Sequence, residues 1–321
     1  MSKLEQLRRL DPLRRGIGLP LKGTYHPGGF CVEIATNSQD VLASAGEAWG
    51  HGAPKFACDP LRFRVLIQPE GGLAQQPSHR LQGHMYAIVS DAHNFAQVDL
   101  SSQLGCIWAS EQTAADHPSF RLFFLESSAY VMLCQRHIVP IHAACVVRNG
   151  AGILLSGPSG AGKSSLSYGC ARAGWTFVAD DATWLLPDSD IRMAIGHSMR
   201  ARFRADAPAL FPELERYAVR ARPNGKIGIE VPLAELPHIR TADRAPISAV
   251  VFLDRTAGEA GAHRLTSADS ADRLLADMPS YGDATDAMHE RTVRRLEGVP
   301  AWRMHYTALE EGIRIMGNLA I

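Results

Sequence analysis

Ala151-Gly-Ile-Leu-Leu-Ser-Gly-Pro-Ser-Gly-Ala-Gly-Lys-Ser164 is the stretch on which the reading of this 321-residue chain turns. The apolar run Ala151 to Ser156 reads as a strand. It feeds directly into Gly157-Pro158-Ser159-Gly160-Ala161-Gly162-Lys163-Ser164, a full G-x-x-x-x-G-K-S match. Each residue type has a chemical reason. Gly160 and Gly162 let the backbone curl so that successive N–H groups face one anion. The start of a following helix adds partial positive charge. Lys163 is a mobile point charge for the β- and γ-phosphates, and the Ser164 hydroxyl is placed to hold Mg2+. A helix from Lys163 to Ala173 should follow. Gly174 then fits its C-terminal cap, where glycine takes the left-handed conformation without steric cost. The candidate nucleotide-binding set is Gly157 through Ser164 together with Ser165, and the expected cofactors are ATP and Mg2+. Neither the N-K-x-D motif that reads guanine nor an L-S-G-G-Q-like transporter signature is present.

Outward from the loop, His142 to Arg148 reads as a strand, and Asn149-Gly150 is a strong two-residue hairpin signal that returns it to Ala151. Downstream, Trp175 to Ala179 is an apolar strand ending at Asp180-Asp181. Beside a bound dication, one carboxylate there can reach the metal shell. The other can accept the proton of an attacking hydroxyl, as phosphoryl transfer to an alcohol needs. An exposed acidic turn that caps its neighbours is the plainer alternative for this pair. His142 can sit near the phosphates, or it can be a core histidine bonded to backbone.

Taken together, His142-Ala143-Ala144, the Asn149-Gly150 hairpin, Gly157 to Ser164, and Trp175 to Asp181 resemble the catalytic domain of HPr kinase/phosphorylase, over about Ile141 to Thr183. The resemblance implies a fold related to phosphoenolpyruvate carboxykinase, ATP and Mg2+ as cofactors, and a serine hydroxyl as acceptor. By position it implies that Lys163 and Ser164 bind phosphate and metal. Asp181 would be the acid/base residue, Asp180 would support metal and geometry, and His142 would stand near the transferred phosphate. It also implies self-association. The chain departs from the family's second signature, an Arg-Gly-Leu-Gly-Ile-like run. Here Asn224-Gly225-Lys226-Ile227-Gly228-Ile229-Glu230 keeps Gly-Ile without the arginine. Lys226 or Arg222 supplies that charge, or the stretch is a solvated basic turn. Ser165 stands where many members have Glu. The expected substrate is therefore a serine or other hydroxyl of a protein, peptide or small molecule rather than HPr itself. The alternative from another class is a module that senses ATP without transferring phosphate, and the acidic pair argues against it.

The rest of the chain frames this site. Residues 1–125 read as a β-rich domain with strands at Phe30–Thr36, Phe63–Gln68, Met85–Ser90, Phe95–Leu100, Cys106–Ala109 and Phe120–Leu125. They suggest an antiparallel sheet with one helix, Gln39 to Trp49, capped by Ser38. This half carries no chemical motif and is expected to serve recognition or assembly. Residues 126–321 read as the α/β catalytic domain: a helix from Ser127 to His137, a strand from Ile247 to Leu253, helices from Ala268 to Met278 (capped near Ser267) and Ala284 to Leu296, a strand from Trp302 to Tyr306, and a helix from Ala308 to Leu319. Lys plus Arg and Asp plus Glu number 33 each, which makes no electrostatic case for nucleic acid or an anionic membrane. No apolar run long enough to span a bilayer occurs, and Met1 to Arg15 lacks the apolar segment of a secretory signal. The six cysteines are scattered without a C-x-x-C pair. They read as buried thiols of a cytoplasmic protein.

Overall fold

Leu61-Arg-Phe-Arg-Val-Leu-Ile-Gln68 shows how the first part of the chain folds. Leu61, Phe63, Val65 and Ile67 are buried while Arg62 and Arg64 are exposed, so one face of the strand packs and the other is wet. The computed structural model describes residues 17–50, 53–223, 225–255 and 259–320, in two compact units that divide at 132/133. Met1 to Arg15 and Asn224 lie outside the described residues.

In the first unit, β1 (Leu21–Tyr25), β2 (Val32–Thr36), β3 (Leu61–Gln68), β4 (Ser78–Gln82), β5 (Met85–Val89), β6 (Phe95–Asp99) and β7 (Leu104–Ser110) form one sheet in the order β1-β2-β3-β7-β6-β5-β4. The expected antiparallel sheet is in fact mixed: β2–β3 and β3–β7 are parallel. Helix α1 (Gln39–Trp49) supplies the long crossover that a parallel pair such as β2–β3 requires. Ser38 stands at its N-cap, but the hydroxyl makes no capping bond. Phe120–Leu125, expected as a strand, is helical, within a run that continues into α2 (Ser127–Cys134). A short apolar run does not by itself separate strand from buried helix. Pro118 in the first helical turn is the local signal that decides it.

The second unit contains β8 (Val139–Ile141), β9 (Ala143–Arg148), β10 (Ala151–Ser156), α3 (Lys163–Arg172), β11 (Thr176–Ala179), β12 (Thr183–Leu185), β13 (Met193–Gly196), β14 (Arg200–Arg204), β15 (Arg220–Ala221), β16 (Ile227–Pro232), β17 (Arg240–Thr241), β18 (Arg244–Asp254), β19 (Gly261–Leu265), α4 (Ser267–Ala276), α5 (Asp283–Arg294), β20 (Ala301–His305) and α6 (Leu309–Asn318). Its large sheet is mixed and runs β17-β11-β9-β10-β18-β13-β12-β8, with β20 on β18 and β19 on β20. Asn149 and Gly150 both take positive φ, 50° and 83°, as the two-residue turn between β9 and β10 demands. Ile153 and Leu155 face a layer containing Leu166 of α3 and Met316 of α6, whereas Leu154 faces Leu274 of α4 and Val293 of α5. Both faces of the sheet are therefore covered by helices, and the architecture is mixed α/β.

A separate antiparallel sheet, β14-β16-β15, packs Phe203 and Ile229 into a cluster with Tyr168 of α3. The Tyr168 and Phe203 rings meet edge-on at 5.0 Å. Helix α4 begins at Ser267, and its cap is Thr266, whose hydroxyl accepts the Asp269 N–H at 3.1 Å. Among the described residues no helix is long and apolar enough to cross a membrane.

Candidate functional site

Ser156 ends β10 and Lys163 opens α3, so Gly157 to Gly162 connect a buried strand to the helix that lies on it. Gly162 has φ 94°, and a Cβ there would stand 2.5 Å from the Tyr306 hydroxyl. That hydroxyl donates to the Ala161 carbonyl at 3.0 Å and pins the loop from beneath. The Lys163 side chain is buried, and Nζ donates to the Gly157 carbonyl at 2.7 Å. Burial pulls its pKa down, against the opposing pull of Asp181. An ammonium has three donors. Among the described residues the Gly157 carbonyl takes one, which leaves charge and donors for an anion in the loop.

His142 and Asp181 come together through a switch of strand partners. Ala179 pairs with Cys145, then Thr183 pairs with Ile141. Between those registers the chain releases His142 on one strand and Asp180-Asp181 on the other. The Thr183 hydroxyl donates to the Ala143 carbonyl at 2.8 Å and holds the crossing closed. His142 Nε2 lies 3.0 Å from Asp181 Oδ1, and Lys163 Nζ lies 3.7 Å from the same oxygen. Burial raises the Asp181 pKa. The hydrogen bond from His142, then the cations around it including Lys163 and Lys226, outweigh that and leave it below the ordinary value.

Asp180 is the opposite case. It is buried, its Oδ2 accepts the Arg202 N–H at 2.6 Å, and burial holds its pKa above the ordinary value despite Arg202. The carboxylate therefore ties β11 to β14. Ser164 and Ser165 are half-buried in the first turn of α3, and Pro158 and Ser159 are exposed on the loop.

Of the second run, Lys226 is exposed and lies within electrostatic reach of both Lys163 and Asp181. Arg222 turns inward, and its Nη2 donates to the Phe203 carbonyl at 2.6 Å. A Cβ on Gly228 would stand 2.6 Å from that nitrogen and 2.2 Å from the Phe203 carbonyl, so glycine is required there. Arg204 was not among the sequence candidates. Its Nη2 stands 3.2 Å from where a Gly160 Cβ would be. The signal for it is Arg200-Ala-Arg-Phe-Arg204, cations alternating with core residues as on a strand. On the other flank of the loop, a cavity of about 560 Å³ is lined by Gly157 to Ala161, by Phe252 to Arg255 and by Arg273 and Arg303. That volume is in the range of small-molecule sites.

A family model described as "ScmC: SynChlorMet cassette protein ScmC" matches residues 110–195. No curated protein matches the chain. Among solved structures, the Hpr(Ser) kinase/phosphatase from Coxiella burnetii is similar at 11% identity and a TM-score of 0.34, over 56% of this chain and 88% of that one.

Proposed function

We propose that the second unit, with residues 126–132 leading into it, is an ATP- and Mg2+-dependent kinase. It would transfer the γ-phosphate to a hydroxyl, that of a serine in a protein or peptide. The observation that carries this is the Asp181 carboxylate, held between His142 at 3.0 Å and Lys163 at 3.7 Å, beside the glycine-rich loop. Lys163 and the loop N–H groups bind the phosphates. The hydroxyl of Ser164 and the carboxylate of Asp181 are hard oxygen donors of the kind Mg2+ takes, with water and phosphate filling its other positions, and Asp180, engaged by the Arg202 N–H, supports the geometry behind them. Bound there, the ion would neutralise charge on the β- and γ-phosphates.

In the transfer, the acceptor oxygen bonds to the γ-phosphorus as the bond to the bridging oxygen breaks and ADP leaves. The hydroxyl proton passes to Asp181. A carboxylate with a lowered pKa is a weak base. A loose transition state keeps the acceptor proton in place until late, so positioning matters more than base strength. His142 orients the carboxylate through Nε2.

The test uses the full chain, labelled ATP, Mg2+ and a panel of serine peptides and small alcohols. Lys163→Ala is expected to weaken nucleotide binding at least about tenfold. Asp181→Asn should leave binding within about twofold and lower transfer about 10²–10⁴-fold. Equal loss of binding in both variants would sink the assignment of roles. ATP bound with no acceptor labelled would favour a sensing module.

A further inference from the structure

The small sheet beside the site carries a basic face that the transfer chemistry does not use. Ala201 and Phe203 of β14 point into the core, so Arg200, Arg202 and Arg204 alternate onto the other side. The register sets Arg204 and Arg220 on either side of Gly228, the residue whose missing side chain leaves room for the Arg222 guanidinium. Three guanidiniums thus share one row across the sheet. The carboxylate on these strands is Glu230, opposite Arg202. It holds Arg200 at 2.5 Å and Arg202 at 3.1 Å, Asp180 and Asp181 also act on Arg222, and the sheet's own strands offer Arg204 and Arg220 no carboxylate. Among the described residues, the buried Nε of Arg222 has no hydrogen-bond partner. Crowding like charges this way costs stability unless an anion relieves it.

This face is joined to the candidate site at three points. Arg202 gives its N–H to Asp180 at 2.6 Å. The Arg204 guanidinium stands over Gly160 of the loop. Lys226 acts on Asp181 and Lys163. At about 3.3 Å per residue, Arg200 to Arg204 spans roughly 13 Å, which is a few residues of extended peptide.

We propose that this face docks an acidic segment of the acceptor polypeptide, with carboxylates lying on the arginines while a neighbouring hydroxyl reaches Asp181. The proposal rests on the kinase reading and narrows its substrate to chains with Asp or Glu close to the acceptor residue. Guanidinium rows recognise carboxylates through paired hydrogen bonds. A nucleic-acid backbone suits the face less well, since Glu230 stands within it and the face is short.

The experiment titrates labelled synthetic serine peptides with acidic, neutral or basic flanks onto the full chain by fluorescence anisotropy, with binding of a fluorescent ATP analogue measured in parallel. The acidic peptide should bind at least about tenfold more tightly than the other two and weaken with salt. Arg220→Glu should erase most of that preference and favour the basic peptide, a reversal that partial misfolding would not produce. Arg220→Gln should give a smaller loss in the same direction. Equal affinities for the three peptides, a preference unchanged in both variants, or tighter binding of a single-stranded oligonucleotide would each overturn the proposal. Acidic-peptide binding without phosphate transfer would leave the docking face standing and sink the kinase. Transfer that ignores flanking charge would do the reverse.

Discussion

In the first unit, Asn94 is completely buried and spends every polar atom of its side chain. Nδ2 donates to the Gly72 carbonyl at 3.1 Å and to Asp91 at 2.9 Å, and Oδ1 accepts the Ser110 N–H at 3.0 Å. Around it the Ser110 hydroxyl donates to Gly72 at 2.7 Å and the Thr113 hydroxyl accepts the Ala74 N–H at 2.8 Å. In the second unit, His142, Lys163 and Asp181 also converge, yet Asp181 stays 59% exposed and the Lys163 ammonium keeps donors to spare. One cluster is built mainly on neutral side chains and the other on ionisable ones, and their satisfaction is opposite. A polar cluster that closes on itself ties a loop to a strand. One that leaves charge facing solvent keeps hydrogen-bonding capacity that a ligand can take up.

The largest effect that would test this contrast is on stability. Asn94→Ala leaves the buried Ser110 N–H without its acceptor and the exposed Gly72 carbonyl with one bond fewer, and should cost about 2–3 kcal/mol. Denaturant unfolding of a form that keeps Trp108, on the neighbouring β7, as its single tryptophan, followed by fluorescence with and without the substitution, would measure it. Nucleotide affinity should not move. A stable Asn94→Ala protein, or one with altered ATP binding, would break the contrast.

The second test works on the open cluster. Asp181 must be ionised to take a proton, and its pKa lies below the ordinary value. Transfer should therefore hold steady as pH falls through the usual carboxylate range and drop only beneath it. His142→Ala removes the first of the influences that lower the pKa and leaves burial, which raises it. The acid limb of the rate profile should then move to higher pH, with a loss of about tenfold or less at neutral pH. A limb that stays in place would show that the hydrogen bond from His142 does not tune the carboxylate.

How much of this was legible in the sequence depends on the range of the forces involved. The strand, loop and helix from Ala151 to Arg172 are local: glycine spacing, an apolar run and a capped helix each specify their own backbone. The meeting of His142 with Asp181 is not local, because it depends on two strand registers exchanging partners. Spacing alone left His142 open to two readings, and only the likeness to a known family favoured one. The separate fates of Asp180 and Asp181 were illegible in the residues themselves, where only the family resemblance gave them different roles, since adjacent carboxylates look identical until the Arg202 N–H arrives from another strand to claim one of them. The basic run Arg200 to Arg204 alternates plainly, but its meaning depends on Arg220 and Arg222 lining up beside it. Phe120 to Leu125 failed for the opposite reason. Its apolarity is real, but a fully buried segment shows no period from which to tell helix from strand.

The smallest effect sharpens the contrast at its finest grain, between neighbouring residues. Asp180 behaves like the closed cluster of the first unit although it sits beside the open one. Burial raises its pKa, so the fold favours its neutral form. The sign follows. Below the unfolded carboxylate value both states are protonated and there is no penalty. As pH rises through the raised folded value, the penalty for a buried charge appears in full. Asp180→Asn keeps an oxygen for the Arg202 N–H and removes that charge. Stability should rise slightly at neutral pH, by about 1 kcal/mol or less, and the gain should vanish in acid. Urea midpoints of both proteins across pH would show it. Because the carboxylate is already engaged by Arg202, the Mg2+ concentration for half-maximal transfer should change by less than about threefold. A rise of tenfold or more would make Asp180 a metal ligand and place it with Asp181 in the open cluster.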